Sequence, residues 1–166
     1  MKFPNVYFRD GDSRITFSPP AGWRSSGSGT GVIFIPPTVA MADFKVQVLT
    51  PANIPSISQD ALGFWQDSLR SSLPEGATDL EVDSAVLNLI RICGHDTVAL
   101  TFRYKSFAHR LKSHLICHRR GNELWRWQLT APESDFAKLE PAFLSSLYTV
   151  EGLDSGTQGE QRPPTQ

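Results

Sequence analysis

Two cysteines, four histidines and a cluster of arginines and lysines are the residues in this chain whose types could do chemistry. Cys93, His95, Cys117 and His118 are zinc donors by type, and zinc needs four ligands converging at about 2.0–2.3 Å from one point. Cys93 and His95 flank a turn signal at Gly94, while Cys117 and His118 are consecutive and would point to opposite faces of a strand. They do not converge, and no metal is expected. A serine nucleophile needs a base and an acidic orienter. The nearest aspartate to any histidine is Asp96, beside His95 in the same turn, and no G-x-S-x-G elbow occurs. The glycine-rich stretch SGSGTG, residues 26–31, runs into the strand-like GVIFIPP, whereas a phosphate cradle must open a helix. It reads as a strand connection, and no cofactor is implied.

The basic residues carry more information. Between Arg103 and Arg126, seven arginines and lysines stand against Glu123 alone, in a chain whose formal net charge is -1. His109, His114 and His118 fall in the same stretch. Strand alternation puts Arg110, Lys112, His114, Ile116, His118 and Arg120 on one face. With a turn at Gly121-Asn122, Trp125 lies opposite His118 and Trp127 opposite Ile116, on that same face. Two readings stay open. In one, the tryptophans are core under a helix and the cations line the rim. In the other, the face is an open docking surface for an acidic protein partner, rich in the Trp and Arg that dominate interface hot spots. An open face would keep His114 and His118 neutral at pH 7 through their cationic neighbours, so docking would strengthen as pH falls towards about 6. A covered face predicts a flat response.

These residues need a sheet to position them. VYFRDGDSRITFS reads as a hairpin about Asp10-Gly11-Asp12, and GVIFIPP and FKVQVLT as two further strands that each end at proline. In 56–73 the period changes: Leu62, Trp65, Leu69 and Leu73 recur at helical spacing, with a capping-box pattern from Ser56 to Gln59. Strands return at about 78–92, 96–105, 110–119 and 123–130, with turns at Gly94-His95, 106–109 and Gly121-Asn122. A last helix carries Phe136, Leu139, Phe143 and Leu147, with a second capping-box pattern from Thr130 to Glu133. Pro141 should kink or restart it. Runs of strands with two helices indicate an α+β fold, a mainly antiparallel sheet flanked by two amphipathic helices. Residues 1–150 read as one domain and 151–166 as a disordered tail. Trp23, Leu62, Trp65, Leu69, Val98, Leu100 and Phe102 should be largely buried, with the four apolar residues of the last helix.

The order of FSPPAGW, an amphipathic helix, GHDTVALTFRY, LWRWQLTAP and FLSSLYT resembles the PsbP/Mog-type superfamily over about residues 5 to 150. The resemblance implies that Pro19-Pro20 ends a strand, that Gly22 turns the chain and that Trp23 folds back over an end of the sheet. It also implies binding rather than catalysis, since the superfamily's members bind or help assemble other proteins and bring no catalytic residues. The function expected is therefore a non-enzymatic protein-binding, assembly or chaperone-type domain. It would dock through 103–127, with Arg110, Lys112, His114, His118, Arg120, Trp125 and Trp127 at the contact. Single-stranded nucleic-acid binding, with Trp125 or Trp127 stacking bases, is the alternative, disfavoured by the net acidity; an enzyme is the third. No run of apolar residues is long enough to span a bilayer. The start, MKFPNVYFRDGD, lacks a secretory pattern, so the chain as written is expected in the cytoplasm unless an export signal has been removed. Oligomeric state is not legible.

Overall fold

The computed structural model describes residues 6–10, 13–28 and 31–152. Alternating apolar residues build two antiparallel sheets. The smaller has β1 (Val6–Asp10) and β2 (Ser13–Phe17) as a hairpin; its turn, with Gly11 and Asp12, lies outside the described residues. The larger contains β3 (Arg24–Ser28), β4 (Gly31–Ile35), β5 (Asp43–Leu49), β6 (Ala77–Leu87), β7 (Thr97–Ser106), β8 (His109–Arg120) and β9 (Glu123–Pro132). Its strand order is β3-β4-β5-β9-β8-β7-β6. A short 3-10 turn at Gln59–Ala61 leads into α1 (Leu62–Ser72), and α2 (Phe136–Leu147) follows β9. The expected α+β architecture is the one observed.

Pro20 accepts a hydrogen bond from the Trp23 amide at 3.3 Å, and Gly22 has φ +80°. A turn with positive φ at its third residue needs glycine, so the PPAGW stretch turns where its sequence says it should. Trp23 then packs, half-buried, against the core.

Four expectations are corrected. Residues 24–28 are a strand, not part of a loop: Arg-Ser-Ser-Gly-Ser has no apolar alternation because this is the sheet's exposed edge. Neither capping box forms. Ser58 rather than Ser56 precedes the first helical turn and makes no side-chain cap, while Thr130 belongs to β9, where its hydroxyl bonds Ser113 at 2.7 Å. The strand expected to reach residue 92 stops at Leu87, where Asn88 turns into a left-handed conformation and its side chain accepts the Thr97 amide. Glu151 and Gly152 form β10, paired with Thr16 and Ile15, so order extends into the expected tail; residues 153–166 lie outside the described residues. Pro141 sits on the exposed side of α2, which runs through it.

Each face of the large sheet has its own core. On one, α2 and the small sheet cover Phe44, Val46, Val48, Ile116, Trp125 and Trp127. On the other, Trp65 and Leu69 of α1 cover Val98, Leu100, Phe102 and Leu115. All the residues expected to be buried are so except Trp23 and Leu62, which are half-buried at the margins. Phe143 packs edge-on against Phe44 at 4.9 Å with no exposed surface, whereas Phe64 on α1 is 61% exposed. Phe143→Ala should therefore cost ~3–5 kcal/mol in urea unfolding. Phe64→Ala should change stability by ~0.5 kcal/mol or less.

Candidate functional site

The register of β8 against β9 is the one that a Gly121-Asn122 turn predicts: Trp125 opposite His118, Trp127 opposite Ile116. The sharing of one face is therefore correct. Its openness is not. Trp125 and Trp127 are 0% exposed, His114 is 3% and His118 is 2%, because α2 and the small sheet lie on top. These four side chains cannot touch a partner, and no nucleic-acid base can stack on either indole. The physical reason is apolar area: a face carrying two tryptophans, Ile116 and the aromatic residues of β4 and β5 gains more by burial under a helix than by facing water.

Inside, the rings are organised. His118 lies near-parallel to Trp125 at 6.0 Å, to Trp127 at 6.3 Å and, towards the surface, to His95 at 5.8 Å. Trp127 donates its indole N–H to His118 Nδ1 at 3.3 Å, so that nitrogen is an unprotonated acceptor. Burial, reinforced by His95 and Arg120, holds the His118 pKa down at about 3. His114 Nδ1 faces Glu140 Oε2 at 3.0 Å and donates to it; Nε2 has no hydrogen-bond partner. Burial depresses the His114 pKa, with Glu140 opposing. The sequence reading expects lowered values on an open face, through cationic neighbours; on the covered face desolvation is the leading cause.

The expected basic residues end at the rim, and most are already paired. Arg103 binds Asp83 in a fork at 2.9–3.1 Å, Glu81 at 2.8 Å and Glu133 at 3.3 Å. Lys105 meets Asp79 at 3.5 Å, Arg110 meets Glu133 at 3.3 Å, and Lys112 caps the Phe136 ring at 5.0 Å. Arg119 bonds the Gly121 carbonyl at 2.8 Å, and Arg120 lies half-buried beside Gly152 and Cys93. Sequence reasoning missed the acids of β6. Glu81 and Asp83 alternate as they should opposite Arg103, but β-bulges after Thr78 and Val82 hide the register. It also missed Phe107, in the β7–β8 turn, which is 88% exposed. A large apolar residue at the centre of a two-residue hairpin loop is itself the signal.

Of the zinc-type residues, His95 and His118 stack on each other, while Cys117 lies on the opposite face of the sheet. Cys117 faces the α1 core, where burial raises its thiol pKa to about 11, while His118 faces the other way, against Trp125 and Trp127. Among the described residues no group of three or more His, Cys, Asp or Glu could hold a metal ion. Asp96 pairs with Arg91 at 3.5 Å. No described helix is long and apolar enough to cross a membrane.

No protein-family model matches the chain, and no curated protein sequence does. Solved structures do. LpqN of Mycobacterium tuberculosis, involved in cell envelope biogenesis, is similar with TM-score 0.60 and 14% identity, over 90% of each chain. Cyanobacterial PsbP from Synechocystis has TM-score 0.57 and 12% identity, over 90% of this chain and 92% of that one. A Pseudomonas aeruginosa protein of unknown function has TM-score 0.58 and 17% identity, over 97% and 99%. The fold is thus PsbP-like.

The depressed histidine pKa gives a prediction with a definite sign. His118 stays neutral in the fold down to about 3 but takes up a proton near 6.5 when unfolded, so its contribution is complete above pH 6.5 and lost as pH falls towards 3. Urea unfolding should show stability falling across that window, with His118 accounting for ~1.4 kcal/mol per pH unit. His118→Gln should flatten the slope by about one proton. An unchanged slope would mean that the buried ring titrates in the folded state.

Proposed function

We propose that this chain is a non-catalytic domain that binds or helps to assemble a protein partner. It docks through the accessible remainder of 103–127: Lys105, Arg110 and Lys112 at one end of the sheet, with Arg120 at the other. The observation that carries this reading is the division of the polar residues. The two histidines of the sheet face, His114 and His118, are sealed among aromatic rings, while Lys105 and Arg110 reach solvent in exposed ion pairs. The PsbP-like fold agrees with it. Lys105 and Arg110 are each held by one exposed ion pair, an interaction worth ~0–1 kcal/mol. A carboxylate of a partner can replace Asp79 or Glu133 at little cost.

Lys105→Glu/Arg110→Glu should leave the unfolding midpoint nearly unchanged. It should weaken a captured protein partner about tenfold and reduce the salt dependence of wild type. An unaltered affinity would take these two side chains out of the docking surface.

A further inference from the structure

We infer that Phe107 is the apolar anchor of docking, a knob that inserts into a pocket of a protein partner whose rim carries carboxylates. This rests on the protein-binding reading above and names its contact. Phe107 is the most exposed of the large apolar side chains described, at 88%. Its backbone has φ +56° at the first central position of the two-residue loop joining Ser106 to His109, where glycine is ordinarily found. A side chain in that conformation costs about 1–2 kcal/mol. Burial returns little, since most of the ring faces solvent and its tip lies only beside the turn at Gly76. For folding alone, phenylalanine is the wrong residue here.

For binding it is well placed. The β7–β8 ladder runs without irregularity from Thr97/His118 to Ser106/His109, so the ring stands on a stiff support and loses little freedom on docking. Lys105, His109 and Arg110 flank it. At its foot lies an open cleft of about 490 Å³ lined by Ala108, His109, Arg110, Pro132, Glu133 and Ser134. Met41 lies at the same end of the sheet, two residues before Asp43, which stands in line with Thr130 and Ser113. It too is exposed and left-handed, with φ +62°. Two exposed apolar side chains in disfavoured conformations at one end of one sheet indicate a partner with apolar pockets.

Charge selects a protein over an anionic bilayer. Arg103, Lys105, Arg110 and Lys112 are matched in number by Asp79, Glu81, Asp83 and Glu133 around them, which leaves no net field to attract lipid headgroups. Individual cations can still pair one by one with carboxylates set around a pocket.

The test uses the full chain with a photo-crosslinking phenylalanine analogue at position 107, or at the likewise exposed position 64, in the cells that make it. Crosslinking to one protein from 107 is followed by affinity measurement with that purified protein. Phe107→Gly should lower affinity about 30-fold while leaving the urea midpoint unchanged or higher, because glycine relieves the left-handed residue. Phe107→Tyr should bind like wild type. Equal affinity in Phe107→Gly overturns the proposal. Crosslinking from 64 alone overturns it while leaving the protein-binding function standing; crosslinking from neither position overturns both. Crosslinking of the chain to itself, or loss by Phe107→Gly of binding to phosphatidylserine vesicles, would make the occupant a second copy or a lipid surface, and either overturns the inference.

Discussion

Burial of β8 on both faces is the constraint on which the rest of this structure depends. From Ser113 to His118 no residue of that strand reaches solvent appreciably, since α2 and the small sheet close one side and α1 the other. A strand in that position would ordinarily be apolar throughout. This one carries Ser113, His114 and His118, and each side chain has a partner for one polar atom inside: Thr130, Glu140 and Trp127. Burial holds the histidines neutral, and those bonds tie α2 and β9 to the strand.

The same arrangement governs the charges. Residues that alternate with the buried ones on β7 and β8 emerge at the ends and margins of the sheet, where β6 and the start of α2 meet them with carboxylates. Arg103 is the pivot, joining Asp83 and Glu81 on the neighbouring strand to Glu133 before α2. The Arg103–Lys112 part of a segment strongly basic when read alone is therefore matched by carboxylates in space. Its cations serve short-range pairing rather than long-range attraction.

Local rules are broken at a few positions, and the breaks differ in kind. Asn88 and Cys93 are left-handed where the chain must reverse between β6 and β7, and Asn88 is repaid at once by its bond to Thr97. Pro141 gives up one helical hydrogen bond on the solvent side of α2, where water can replace it. Phe107 and Met41, also left-handed, stand exposed instead.

Periodicity alone determined the two helices, the antiparallel meander and the register of β8 against β9, because a tight turn and strict alternation leave one pairing that keeps Trp125 and Trp127 together. It also determined which residues share a face. Whether that face is open or covered is a question about which element lies across it, and neighbours distant in sequence answered that: β2 and α2 meet above β5 and β9 by contacts that no local pattern encodes. The acids opposite Arg103 were hidden by two bulges that shift a register readable only from a regular strand. Edge strand β3 was hidden because an exposed edge needs no apolar alternation, only a neighbour's backbone to pair with. Sequence determines what each segment prefers; tertiary structure decided which preferences were met by the chain itself and which, as at Phe107, were left facing outwards.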